Sequence, residues 1–296
     1  MRRLLSGLVL LGLIGFAGFW LITKPKALDP AALAGLVPDV AHGEQVFWAG
    51  GCASCHANEK AKGDDRLVLE GGNRLASPFG NFVTPNISND PVAGIGSWTA
   101  LDLANAMHFG TSPEGEHYFP AFPYTSYVRA DLQDIVDLRA YLATLPASPR
   151  ANEPHEVPFP FNIRLSLGGW KMLFVNADWV VTGDLSDSEA RGRYLAEALG
   201  HCGECHTPRN ALGGSKRGRW LDGAPDPSGK GVIPNITPGK LAWSEADLVS
   251  YLKSGFTPDF DVAGGLMAHV IQNLAMLPES DRAAIAAYLK IVPPVP

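Results

Sequence analysis

An all-α chain is predicted, built from two copies of one small helical domain behind an apolar N-terminal helix. Three features carry this expectation: an uncharged run from Leu4 to Thr23, a motif set that follows Cys52 and recurs after Cys202, and apolar residues at helical spacing near the end of each copy. At 296 residues the chain is long enough for about two globular domains, each with its own core. Its 46% hydrophobic and 18% charged residues exclude disorder along the whole length. A formal charge of −6 and the lack of a long basic run argue against a nucleic-acid binder, which needs a cationic face for phosphates. Thirty-two Gly and 24 Pro imply long loops between short helices rather than a continuous sheet.

Residues 1–24 form the first element. Arg2 and Arg3 precede the uncharged run, whose 20 residues approach the ~20 needed to span a bilayer, and Trp20 stands where an interfacial aromatic belongs. A cleavable signal peptide is the competing reading. Its apolar stretch is shorter, roughly 7–15 residues, and ends in small residues. The only such site nearby is Ala32-Leu33-Ala34, beyond Lys24, Pro25, Lys26 and Pro30.

All four cysteines fall in two clusters, Cys52-Ala-Ser-Cys55-His56 and Cys202-Gly-Glu-Cys205-His206. Cys-x-x-Cys-His is the attachment signature of a c-type haem: two thiols three residues apart add to the two vinyl groups, and the imidazole that follows ligates the iron. A zinc site or a redox dithiol are the alternatives, although neither requires a His after each pair. The cofactor expectation is two covalently bound haem c, held by Cys52, Cys55, Cys202 and Cys205, with His56 and His206 as iron ligands. Haem is attached to c-type apoproteins outside the cytoplasmic membrane. The chain is therefore expected at the bacterial inner membrane with its haem domains facing the periplasm.

The repeat sets the domain limits at residues 38–147 and 188–292. After the first motif come Pro85-Asn86-Ile87, Trp98-Thr99, Gly110-Thr-Ser-Pro113 and Ala140-Tyr141-Leu142; after the second come Pro234-Asn235-Ile236, Trp243-Ser244, Gly255-Phe-Thr-Pro258 and Ala287-Tyr288-Leu289. Opening helices are read near Gly43–Gly50 and Ser188–Leu199. Thr99 and Ser244 cap helices that Gly110 and Gly255 end, and closing helices run over Leu132–Leu145 and Arg282–Ile291. Tyr141 and Tyr288 read as core aromatics where opening and closing helices cross. Residues 148–187, with Pro154, Pro158, Pro160, Phe159, Phe161 and Trp170, form a linker apolar enough to pack and to fix the domains relative to each other.

A sixth iron ligand is assigned for the second copy alone. Met267, in Gly264-Gly-Leu-Met-Ala268, occupies a loop position from which a thioether reaches the iron, with Met276 in reserve; the competing reading is a core filler. Met267 lies 24 residues after Trp243, and the equivalent residue after Trp98 is Phe122, which cannot ligate iron. His117, Tyr118, His108, Met107 and Tyr124 are the substitutes, and the alternative to all of them is an open iron.

The two motifs, together with Thr84-Pro-Asn-Ile87, Gly94-Ile-Gly-Ser-Trp98, Tyr118-Phe-Pro-Ala-Phe-Pro-Tyr124, Pro158-Phe-Pro-Phe-Asn-Ile-Arg164 and Pro234-Asn-Ile-Thr237, resemble the multihaem cytochrome c subunits of membrane-bound alcohol, aldehyde and gluconate dehydrogenases. The resemblance covers roughly residues 40–292. It implies two tandem class I cytochrome c domains that take electrons from a periplasmic dehydrogenase and pass them to the quinone pool, an oxidase or another cytochrome. The chain departs from that family in carrying two haem motifs rather than three and Phe122 in place of a Met. A membrane-anchored electron-transfer protein is the leading expectation, with no catalytic residue of its own. A dihaem peroxidase-type enzyme with an open iron in the first domain is the alternative, and a haem-based gas sensor a third. The acidic balance, with haem propionates added, fits a basic docking partner.

Overall fold

The computed structural model describes residues 2–227, 229 and 231–296; Met1, which belongs to the first expected element, lies outside the described residues with Ser228 and Lys230. Helix α1 (Arg2–Ile22) is 21 residues long, and no residue of it is buried. At 1.5 Å per residue it measures about 31 Å, the thickness of a bilayer's hydrocarbon core.

The first half holds α2 (Val40–Ala49), α3 (Cys52–His56), the hairpin β1 (Arg74–Ser77) and β2 (Gly80–Val83), α4 (Ala100–Phe109), α5 (Tyr124–Tyr127) and α6 (Leu132–Leu142). Helix α7 (Leu165–Phe174) lies between the halves. The second half holds α8 (Asp187–Arg193), which runs on as a π-helical turn over Tyr194–Leu199, then α9 (Gly203–His206) and the hairpin β3 (Ala224–Pro225) and β4 (Val232–Ile233). It ends with α10 (Glu245–Ser254), α11 (Gly265–Leu274) and α12 (Glu279–Ile291). The chain is helix-rich as expected, and two short antiparallel hairpins that the all-α reading did not include are added to the helices. Each lies between a Cys-x-x-Cys-His motif and its Pro-Asn-Ile segment, and strands this short leave no readable alternation.

Helices α4 and α10 begin where their caps dictate. Thr99 and Ser244 accept from the backbone of Asp102 and Asp247, whose carboxylates reach back to complete capping boxes, and left-handed Gly110 and Gly255 close the far ends. Helix α6 stops short of the expected Leu145, and the Thr144 hydroxyl donates to the Tyr141 carbonyl beyond its end (2.7 Å). Helix α12 starts at Glu279 rather than Arg282, with Glu279 and Asp281 in the first turn facing the positive end of the helix dipole.

The opening helix crosses the closing one in both halves through a glycine. A Cβ on Gly43 would lie 2.1 Å from the Asp137 carbonyl oxygen, and one on Gly192 would lie 1.9 Å from that of Ala284. Gly43 precedes Cys52 by nine residues, whereas Gly192 precedes Cys202 by ten. The π turn over Tyr194–Leu199 is where the second half accommodates the additional residue.

One core runs through both halves, from Phe47, Trp48 and Leu142 to Leu195, Leu199, Ile285 and Tyr288. A smaller core joins Phe82 and Phe119 to Val157 and Leu167 of the middle segment. That segment also pairs Glu156 with Asn81, and it donates from Trp170 Nε1 to the Leu212 carbonyl of the second half (2.8 Å). Its apolar content is only partly packed. Val157 and Leu167 turn inward, while Phe159, Phe161, Ile163, Met172 and Leu173 are exposed.

Candidate haem-attachment site

The two Cys-x-x-Cys-His segments are built by the same local device. In the first, the His56 carbonyl accepts from Gly71 N (2.9 Å) and the His56 ring donates from Nδ1 to the Pro85 carbonyl (2.8 Å). In the second, the His206 carbonyl accepts from Gly223 N (2.7 Å) and the ring donates from Nδ1 to the Pro234 carbonyl (2.8 Å). A carbonyl can only accept, so Nδ1 carries the proton and Nε2 keeps its lone pair for a metal. Desolvation lowers the pKa of both imidazoles, against the opposing pull of those carbonyls, and so favours the neutral ligand form.

All four cysteines are free thiols. Desolvation pushes Cys52 and Cys202 up to about 12 and Cys55 to about 11, with Cys205 close enough to raise Cys55 further. A redox dithiol needs the opposite, a lowered thiol pKa. Among the described residues, the one set of three metal-type donors within 4.8 Å of one another is His42, Asp134 and Asp137, so the cysteines do not converge as a zinc site. Two spaced thiols followed by an imidazole oriented through Nδ1 fit covalent haem instead.

Each motif is locked to the opposite half through its third residue. Ser54 accepts from Asn273 Nδ2 of α11 (2.5 Å), and Asn273 Oδ1 accepts from Arg66. Glu204 accepts from Thr125 Oγ1 (2.5 Å) and Ser126 Oγ (3.1 Å) of α5, and it pairs with Arg209. Desolvation acts to raise the Glu204 carboxyl, but the Arg209 charge and the Thr125 hydroxyl outweigh it and hold the group below the usual carboxylate range. Between the motifs the Tyr127 hydroxyl donates to the Gly50 carbonyl (3.1 Å), and its ring meets His201 edge-on at 5.6 Å.

Met267 is half-buried against the core and lies in the first turn of α11, not in a loop as expected. Ile271 and Leu274 explain the difference, since their spacing from Met267 continues one helical face into the core. Met276, the reserve candidate, is exposed. In the first half Phe122 packs beside the rings of Tyr118 (6.0 Å) and Tyr127 (5.7 Å). Most of the substitutes have other partners. His108 Nε2 donates to the Ala130 carbonyl (2.8 Å), His117 Nε2 to that of Thr23 (2.8 Å) and Tyr124 to that of Tyr118 (3.2 Å), while Met107 is a core residue.

Sequence reasoning missed the carbonyls of Pro85 and Pro234, although the recurrence of Pro-Asn-Ile at matching distance from each His was the available signal. It likewise missed Ser54, Glu204 and Asn273, whose bonds to the opposite half span at least 78 positions and leave no local trace. Asn86 and Asn235 shape the carbonyl-bearing loops. Asn86 Nδ2 donates to the carbonyls of Ser148 (2.8 Å) and Arg150 (2.9 Å), and Asn235 Nδ2 donates to that of Val295 (3.1 Å).

The paired thiols and oriented imidazoles define a haem-binding protein of the c type, and a cytochrome c family model matches residues 40–146. The chain belongs to the cytochrome c family, and its cofactor is covalently bound haem c. It is 58% identical over 99% of both chains to a dihaem cytochrome c-type protein of Cereibacter sphaeroides. It is also 36% identical to the fructose dehydrogenase cytochrome subunit of Gluconobacter japonicus, over 91% of this chain and 56% of that one. With the gluconate 2-dehydrogenase cytochrome c subunit of Pantoea cypripedii the identity is 33%, over 85% of this chain and 59% of the other. The chain therefore spans a little over half the length of these dehydrogenase subunits.

Proposed function

We propose that the chain is a membrane-anchored dihaem electron-transfer protein with class I cytochrome c domains at residues 38–147 and 188–292, joined by 148–187. Cys52 and Cys55 hold one haem c, Cys202 and Cys205 the other, with His56 and His206 as iron ligands and Met267 completing the second site. Haem, when bound, supplies a one-electron iron couple whose potential the axial ligands set. The protein's part is orientation and spacing. Pro85 and Pro234 fix the imidazoles, while the Ser54–Asn273 and Glu204–Thr125 bonds hold the attachment segments against each other. The observation that carries the reading is that reciprocal lock, since a transfer protein needs its two centres at a fixed separation.

Helix α1 spans the bacterial inner membrane and residues 38–292 face the periplasm in this reading. A periplasmic dehydrogenase is the donor, and the quinone pool, an oxidase or another cytochrome is the acceptor. The names of the shorter-matching relatives support a dehydrogenase partner. The test is to purify the chain from cells competent in cytochrome maturation, count haem by its pyridine adduct and titrate it in a spectroelectrochemical cell. Two haems that resist acid–organic extraction and two reversible one-electron waves are expected. A colourless polypeptide overturns the proposal.

A second reading, a dihaem peroxidase-type enzyme with an open iron in the first domain, is favoured by Phe122 and by the other engagements of His108, His117 and Tyr124. A high-spin ferric signal that shifts with cyanide or peroxide supports it; a wholly low-spin spectrum excludes it.

A further inference from the structure

Helix α7 meets the end of α1 directly. Gly169 stands so close to Phe19 that a Cβ there would lie 3.1 Å from its ring, and one on Gly168 would lie 2.5 Å from Thr23. The junction is fixed on both sides. His117 Nε2 donates to the Thr23 carbonyl (2.8 Å), Lys171 Nζ donates to His117 Nδ1 (3.1 Å) and to the carbonyls of Phe109 and Gly110 (2.7 and 2.6 Å), and Arg164 donates to the His117 carbonyl (2.7 Å). Thr23 is buried in that contact.

Met172 and Leu173 follow Gly169 by three and four residues, so they share the face of α7 that receives Phe19. They are 61% and 71% exposed, and the turn leading into α7 adds exposed Phe161 and Ile163. An apolar face this open is unusual in a water-soluble surface. Its depth is set by Phe19, which lies in the last turn of the helix that crosses the bilayer, where hydrocarbon gives way to headgroups. Lys24, held 4.4 Å from the Trp20 ring, supplies a cation at the same level, of the kind that reaches for lipid phosphate.

We propose that α7 is a membrane-interface helix, with Met172 and Leu173 set into the acyl boundary of the bilayer that α1 spans and Phe161 and Ile163 beside them. The first half is then held against the membrane by two elements and does not swing on a tether. This inference rests on the anchoring reading above and goes beyond it.

The test places one nitroxide on full-length, haem-loaded protein in lipid nanodiscs, at Met172→Cys, Leu173→Cys, Gly12→Cys or Val232→Cys. The native cysteines are consumed by haem attachment, so each new thiol is unique. Power saturation compares collision with oxygen, enriched in lipid, against a water-soluble nickel chelate. Expected are lipid-type depth values at positions 172, 173 and 12 and an aqueous value at 232, which is exposed in the second half. Aqueous values at 172 and 173 with a deep label at 12 overturn the interfacial helix and leave the anchor standing. An aqueous label at 12 overturns both.

Discussion

Five residues before its first cysteine the first half has Phe47, and the second half has Glu197. Both side chains are fully buried at the crossing of opening and closing helices. Phe47 meets the Tyr141 ring at 5.3 Å in an apolar contact. Glu197 instead accepts from the Tyr288 hydroxyl (2.8 Å), which itself accepts from Trp220 Nε1 (2.9 Å), and from the backbone of Val180 and Val181 (2.6 and 3.0 Å). The chain entering the first crossing is tied differently: Asp39 N donates to Asp137 Oδ1 of α6 (2.8 Å), at the position where the second half has Ala284. One backbone crossing thus accepts an apolar or a polar filling, the buried Glu197 carboxylate and Tyr288 hydroxyl being hydrogen-bonded to each other and to their neighbours.

Removing the apolar filling gives the largest effect. Phe47→Ala should cost about 4 kcal/mol, because the glycine-mediated contact of α2 and α6 leaves little room for collapse. Denaturant unfolding measures it, and a loss below about 1 kcal/mol would show that the rings are not what holds the first crossing. Next comes Glu197→Ala, which strands the Tyr288 hydroxyl and two backbone N–H groups and should cost about 3 kcal/mol. If the variant melts with the parent, the polar crossing does not contribute to stability.

The halves also differ at Met267 and Phe122. Converting the second to the first with Met267→Phe should lower the potential of the second centre by on the order of 0.1 V, a modest part of the ~0.8 V range axial ligands span. The same change should add one carbon monoxide-binding site per chain. An unchanged titration would remove Met267 from the ligand set.

The smallest effect separates the halves by pH. Desolvation acts to raise the Asp137 carboxyl, but His42, the Asp39 N–H and Gln133 outweigh it and hold it below the usual carboxylate range. A depressed carboxyl stabilises the fold above its unfolded pKa of about 4, and that stability drains away as pH falls toward the native value. Asp137→Ala should therefore flatten the acid limb of the stability curve by about 1 kcal/mol. An acid limb identical to that of the parent would place the sensitivity elsewhere.

Much of the framework was legible because it is local. Thr99, Ser244, Gly110 and Gly255 mark their helix ends within a few residues, and the cysteine motifs carry their chemistry in five consecutive positions. The short hairpins, the helical setting of Met267 and the exposed face of α7 were not legible, because each depends on which apolar residues find a partner.

The sequence by itself pointed to the thiols and imidazoles proposed to meet the cofactor and set the helix ends of each half, since thiol spacing and capping act along the chain. Only the tertiary structure decided that Ser54 and Glu204 each reach into the other half and that Phe47 and Glu197 fill one role. The same holds for Gly169 coming to rest on Phe19. Those contacts join residues far apart in sequence, and they exist only once the helices have packed and desolvated the groups between them.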